Sequence, residues 1–444
     1  MREQKLRVLV ISHAHPSFSL GGAEIASHNL HRGLNAMEGV ESVYLAAASP
    51  PLQRHASSAL MSARLPQEEV LFHTDAYDHF HLANEDVESI ERDLLRFVRD
   101  VKPDVTHFHH VLGFGLEALY AVRSALPDAA ILLTLHEFVP ICHNHGQMVK
   151  RPTGQLCEQA SPTACNSCFP DIPASRFLRR EALVRTMLLD MVDAFVAPSA
   201  FLAKRYAEWG IDRQRIHVIE NGIMGEEATP ARELARSDAR RNRFAFFGQM
   251  TPFKGVDVLI DAIGRVPDEI WGDDAYLMIF GANLERQPVE FQARMKKLIE
   301  RAGRRVRFYG SYQNADLPKL MRSVDWVIFP SIWWENSPVV IQEALLHRRP
   351  IICSDIGGMA EKVRDGADGL HFRAGNGQHL ADRIVEVLND DTVWDRLRSS
   401  MRGPFSSKDC AREHLGVYRS LLREKDGAAQ REHRVEMRVS SQFQ

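Results

Sequence analysis

Trp326-Val327-Ile328-Phe329-Pro330-Ser331-Ile332-Trp333-Trp334-Glu335-Asn336-Ser337-Pro338-Val339-Val340-Ile341-Gln342-Glu343-Ala344 reads in two parts. The run 326–331 is apolar, β-branched and aromatic, then stopped by Pro-Ser, which predicts a buried parallel strand ending at a functional loop. A helix start follows. Asn336 or Ser337 can cap it, and Pro338 suits the first helical position because its missing N–H costs nothing there. The free N–H groups of that first turn, with the helix dipole behind them, attract an anion such as a diphosphate. Glu335 stands just before the turn, and Glu343 lies about 7 Å further along the helix at about 1.5 Å per residue. Two carboxylates therefore bracket an anion site.

That arrangement suits a nucleoside-diphosphate sugar, with phosphates at the helix start, Glu335 facing the sugar and Glu343 accepting from the ribose hydroxyls. A surface helix with solvated glutamates is the plainer reading of the stretch alone. The frame Glu335-Asn336-Ser337-Pro338 … Glu343-Ala344 resembles the paired-glutamate motif of retaining GT-B glycosyltransferases of family 4. The resemblance implies two Rossmann-like, doubly wound α/β domains facing across a cleft. The donor would be held mainly by the second domain and the acceptor mainly by the first.

The totals agree with a chain of that size. Its 444 residues favour two large α/β domains, and its composition, 45% apolar and 25% charged with net charge −3, is ordinary for a globular protein. So small a net charge argues against a nucleic-acid binder that works by overall charge. No apolar run approaches the ~18 residues that span a bilayer. The start, with Val8-Leu9-Val10-Ile11 as its first apolar run, reads as a strand rather than a signal peptide, giving a cytoplasmic expectation.

Strand 8–12 leads into Gly21-Gly22-Ala23-Glu24, where paired glycines let backbone approach a ligand; in the family this turn borders sugar and phosphate. Residues 50–82 carry no clear periodicity. Strand 105–110 contains His107, His109 and His110, and alternation puts His107 and His109 on one face, as polar lining rather than a metal set. Strand 130–135 ends in His136-Glu137. The family has a His-Asp pair here against the transferred sugar, so the resemblance carries over His136, while Glu137 replaces the usual Asp.

Four of the six cysteines, Cys142, Cys157, Cys165 and Cys168, crowd into 142–168. Only Cys165 and Cys168 have the Cys-x-x-Cys spacing of a zinc knuckle. A reducing cytoplasm disfavours disulfides, so a structural zinc site is the candidate, with His143 or His145 as substitute ligands and free thiols as the alternative. Helix 175–192 mixes Arg176, Arg179, Arg180 and Arg185 with apolar residues. It reads either as an ordinary solvated helix or as a peripheral contact with the inner face of a membrane.

The expected divisions are an acceptor-side domain over 1–222, a polar linker over 223–243, a nucleotide-sugar domain over 244–407, a helix over 408–424 crossing back to the first domain, and a disordered tail over 425–444. In the second domain, strand 244–247 and Gly248 precede Gln249 and Lys254. Lys254 is a point charge for the diphosphate. Many relatives have Arg where Gln249 stands, so one positive charge is missing there. Asp365–Leu370 reads as a turn.

The resemblance implies sugar transfer from a nucleoside diphosphate to a glycan or lipid-linked acceptor, with retention, in cell-surface polysaccharide assembly. Lys254, the 336–339 backbone (Asn336, Ser337, Pro338, Val339) and Gln249 would stabilise the departing diphosphate. Glu335 would hold the sugar and its positive anomeric carbon, Glu343 the ribose, and His136 the far side of the sugar. No metal is required for catalysis in that scheme. A sugar-nucleotide epimerase of the same fold and a non-catalytic sugar-nucleotide binder are the alternatives.

Overall fold

The computed structural model describes residues 5–19, 21–48, 58–61, 66, 68–74, 76–225, 227–234 and 240–442. Parts of the loosely patterned 50–82 stretch and of the expected linker, and the last two residues of the expected tail, lie outside them. The chain divides into two units, Met1–Gly222 with Ser406–Gln444, and Ile223–Phe405. The polar stretch after Gly222 thus belongs with the second unit, tied there by the buried Arg349, whose guanidinium donates to Thr229 Oγ1 at 3.1 Å and to Pro230 O.

The first unit holds β1 (Leu6–Ser12), β2 (Val40–Ala48), β3 (Leu60–Met61), β4 (Glu69–His73), the short pair β5 (Tyr77–Asp78) and β6 (Ala83–Asn84), β7 (Val105–Phe108), β8 (Ala130–Thr134), β9 (Ala194–Ala197) and β10 (Ile216–Val218). Its eight-stranded sheet runs β10-β9-β8-β7-β1-β2-β4-β3, parallel except for β3. Val8 to Ile11 are fully buried, as a strand covered on both faces requires.

In the second unit, β11 (Arg243–Phe247), β12 (Tyr276–Phe280), β13 (Val306–Phe308), β14 (Trp326–Phe329), β15 (Ile351–Ser354) and β16 (Gly369–Phe372) pair in the order β13-β12-β11-β14-β15-β16, all parallel. Alternation along β11 and β14 sends Phe244, Phe246, Trp326 and Ile328 into one core, and Ala245, Phe247, Val327 and Phe329 into the other. Each such buried large side chain contributes about 1.5–3 kcal/mol. The end of the expected 365–370 turn is the start of β16, an edge strand whose Gly369 could not carry a Cβ, which would sit 2.0 Å from Ile351 O.

Both sheets are doubly wound. Chain order reverses between β1 and β7, and again between β11 and β14; ligands of such sheets bind at the carboxyl ends of the strands flanking that reversal.

The last helix corrects an expectation. It runs Ser407–Gln442 rather than stopping near 424 before a disordered tail. It packs on helix Gly22–Asn35, so closely that a Cβ on Gly33 would meet Ser407 O at 2.7 Å. The continuation to 442 has no Pro to interrupt it and is rich in good helix formers. Helix Ala174–Met191 is likewise not simply basic outside. Arg180 points inward and donates to the carbonyls of Phe80, Val139 and Pro140, while Leu178 and Leu183 are exposed. Among the described residues no helix is long and apolar enough to cross a membrane.

Candidate functional site

The carboxyl ends of β11 and β14 carry the side chains on which the sequence reading centred. After β11, Gly248 and the exposed Gln249 lead to a single turn, Pro252–Lys254, closed by Gly255 at φ 64°. Only glycine fits there twice over: the φ is left-handed, and a Cβ would lie 2.0 Å from Pro330 O in the loop after β14. The close approach, with Ile332 N donating to Phe253 O at 2.9 Å, places Lys254 over that loop. Lys254 Nζ donates to Glu335 Oε1 at 2.6 Å. Ser331 Oγ and Trp333 Nε1 donate to the same oxygen, each at 2.8 Å.

Glu335 is 8% exposed, so a carboxylate there needs these donors. Its backbone is clamped as well. Gly358 N donates to Glu335 O at 2.6 Å, and a Cβ on Gly358 would stand 1.8 Å from Asn336 O. The helix itself begins one residue later than expected, at Val339, with Pro338 in extended conformation as its cap; Asn336 and Ser337 belong to the approach loop. Pro338 still precedes a run of N–H groups at the helix start. Glu343 lies in the third position before the last residue of that helix, and burial pushes its carboxyl up to about 7.

The first unit assembles a second set. Gly21 caps helix Gly22–Asn35, and a Cβ on it would meet Glu24 Oε2 at 2.3 Å. Burial opposes the charge on Glu24, yet hydrogen bonds from His13 and Ser19 hold its carboxyl at about 2. His136 follows β8, with Nε2 2.9 Å from His109 Nδ1, and burial depresses it to about 3, so it is neutral. Glu137 is occupied otherwise: Oε1 accepts from His110 Nε2 at 2.6 Å and Oε2 from Val139 N at 2.6 Å, which makes it an anchor for the following loop. The expected polar lining at His107 is also corrected. His107 is fully buried, bonded to Thr134 Oγ1 and to Tyr418 Oη, each at 2.7 Å.

The zinc expectation finds no formed site. Cys142, Cys157, Cys165 and Cys168 are free thiols lining one cavity of about 330 Å³. No three of their sulfurs lie within 4.8 Å of one another, whereas a Zn–S bond of about 2.3 Å sets sulfurs about 3.7 Å apart in a tetrahedron. Burial instead raises the Cys142, Cys157 and Cys165 thiols, favouring the neutral form. The one group with metal-like spacing among the described residues is His15, His28 and Glu69. It is a hydrogen-bonded clamp: Ser17 N donates to His15 Nδ1, so the proton of His15 is on Nε2, which donates to Glu69 Oε2 at 2.8 Å.

Sequence reasoning missed Ser331, Trp333, Glu24 and His109 as supports of the candidate residues. Trp333 and Ser331 stand inside the motif and could have been found by asking what satisfies a buried carboxylate.

A family model described as Glycosyltransferase Family 4 matches residues 20–224, and one described as Glycosyl transferases group 1 matches 241–390. The chain belongs to the family 4, group 1 glycosyltransferases. Its fold is GT-B, with two parallel Rossmann-like sheets. Among similar proteins, the phosphatidyl-myo-inositol mannosyltransferase of Mycobacterium leprae is 30% identical over 196 residues, 44% of this chain and 50% of that protein. The D-inositol 3-phosphate glycosyltransferase of Nocardioides sp. is 26% identical over 336 residues, 71% of this chain and 67% of the relative. The chain thus spans about half to two thirds of the length of these curated relatives. Anabaena HepE in complex with UDP and glucose has the same fold at a TM-score of 0.61 and 18% identity, covering 94% of this chain and all of that one. So does sucrose-phosphate synthase from Thermosynechococcus elongatus, at 0.68 and 16%, covering 95% and 100%.

Proposed function

We propose that this family 4 chain transfers a sugar, with retention, from a nucleoside-diphosphate sugar to a glycan or lipid-linked acceptor in cell-surface polysaccharide assembly. The observation that carries the reading is the approach of Lys254 to Glu335 at the carboxyl ends of β11 and β14, where the second sheet reverses its order. Leaving-group departure builds negative charge on the diphosphate and positive charge on the anomeric carbon. An ammonium has three donors. One meets Glu335, and the others serve phosphate oxygens, so a single pair sets positive charge beside the leaving group and negative charge beside the sugar. The helix start at Val339 and the neighbouring backbone add N–H donors, and Gln249 offers a neutral amide. The departing diphosphate takes the acceptor proton, and Glu343 receives the ribose hydroxyls. His136 is assigned a contact with the transferred sugar. The family typically works without a metal ion.

HepE holds UDP, and a starch synthase of the same fold holds ADP, so the base is a matter for experiment. The test is thermal stabilisation of the chain by UDP-, GDP-, ADP- and dTDP-sugars, repeated with Lys254→Ala, followed by turnover with the donor that binds and NMR of the anomeric linkage. One donor should raise the melting temperature by mass action and lose its effect in the variant. Conversion of the donor sugar with no acceptor present would instead identify an epimerase, and binding without any turnover a sugar-nucleotide binder.

A further inference from the structure

Resting on the reading of His136 as a sugar-facing group, we infer that His109 is a positioning residue that fixes the tautomer of His136. The two rings meet with His109 Nδ1 2.9 Å from His136 Nε2, ring centroids 5.1 Å apart and planes within 27°. A centroid separation that long with so short a nitrogen contact means the rings join edge to edge, nearly in one plane, through a single in-line N–H···N bond. One ring donates and the other accepts, and the donor's identity decides where the accepting ring keeps its own proton.

The surroundings of His109 decide it. Its Nε2 is buried and has no hydrogen-bond partner. Burial, then the neighbouring histidines His107, His136, His414 and His13, keep it neutral, with one N–H. A proton on Nε2 would be a buried N–H with no acceptor, which folded proteins avoid more strictly than a bare acceptor. A proton on Nδ1 is used in the bond to His136. His136 Nε2 is therefore the acceptor, and the His136 proton sits on Nδ1.

The donor ring is itself held. His107 lies against His109 at 4.6 Å between centroids, and both His107 nitrogens are engaged, Nδ1 with Tyr418 Oη and Nε2 with Thr134 Oγ1. Tyr418, from helix Ser407–Gln442, thus buttresses through two rings the residue that orients His136.

Two substitutions of similar shape separate the donor from the acceptor role. In His109→Asn the amide nitrogen stands near the Nδ1 position and donates; in His109→Asp an oxygen there accepts. Full-length protein with 15N-labelled histidine, in which His136 is assigned by its loss in His136→Asn, should show the Nδ1–H pattern for His136 in the wild type and in His109→Asn. His109→Asp should show a proton on Nε2. Turnover with the donor found by the sugar-nucleotide screen should stay within about threefold in His109→Asn and fall about thirtyfold or more in His109→Asp. An Nε2–H pattern in the wild type overturns the inference, as does equal turnover of two folded variants. The wild-type spectrum needs no variant at position 109, so misfolding of either leaves the answer intact. Should His136→Asn retain full turnover, the reading of His136 fails, while the spectra still decide whether His109 sets its tautomer.

Discussion

Lys254 Nζ lies 2.6 Å from Glu335 Oε1 across 81 positions of sequence, because the loops after β11 and β14 touch at Gly255 and Pro330. Opposite charges at the carboxyl ends of the two strands flanking the sheet reversal are what a nucleoside-diphosphate sugar needs. Lys254→Ala should lower kcat/KM for the donor by about 10²–10³-fold, the usual loss when a preorganised donor to developing negative charge is removed. Steady-state kinetics checks this, and unchanged kcat/KM would remove Lys254 from the site.

Glu335 Oε1 accepts from Trp333 and Ser331 as well. Trp333→Phe keeps the ring but deletes its N–H, and Ser331→Ala deletes the hydroxyl. Each should cost about tenfold in kcat, in line with a hydrogen bond to a charged group. Glu335→Gln should retain donor binding and lose turnover, a split that calorimetry alongside kinetics resolves.

Glu343 makes the chain respond to pH. Its folded pKa of about 7 exceeds the ordinary 4.5 because burial disfavours the carboxylate, so its protonated form favours the fold fully below about 4.5, and that contribution is lost as pH rises through 7. In the proposed role, ribose hydroxyls donate to the ionised form of Glu343. Nucleotide affinity should therefore rise with pH through about 7, while Glu343→Gln should bind with a flat profile and, lacking the group that gains stability at low pH, show a steeper fall in melting temperature on acidification. A flat wild-type profile from pH 5.5 to 8 would count against both the burial and the role.

The buried histidines act in the opposite direction. Burial lowers His136 to about 3 and His414 to about 4, against 6.5 when unfolded. The unfolded chain takes up protons first, so stability present above about 6.5 is lost as pH falls toward 4. The melting temperature should drop between pH 7.5 and 5.5. His414→Leu, which removes one such ring and its unpartnered Nε2, should make that decline shallower.

Gly358 supports the motif from outside it. A Cβ there would lie 1.8 Å from Asn336 O. Gly358→Ala should destabilise the second unit by about 1–3 kcal/mol, the range for an overpacked site, and weaken donor binding as the Glu335–Asn336 backbone shifts. Denaturant unfolding and donor titration measure the two effects.

Local pattern alone carried the residue positions. Strand 326–329, the glycine turn at 21–22, Lys254 after β11 and the paired glutamates are legible because alternation, glycine and helix-start chemistry act over a few neighbours. The same locality explains what could not be read. Which oxygen Glu335 shares with Ser331, Trp333 and Lys254, that Glu137 is spent on His110 and Val139, and that His107 reaches Tyr418 across 311 positions all depend on strand order and side-chain direction after packing. The cysteines show the limit most directly. Their spacing suggested a zinc ligand set, but the loop lines a cavity with four separate thiols, because sequence spacing bounds how far sulfurs can lie apart and only the folded loop sets where they point. Sequence determined the family, the two doubly wound sheets and the residues offered to the site, and tertiary packing decided which of those residues meet, since burial and hydrogen-bond satisfaction are settled between segments rather than within them.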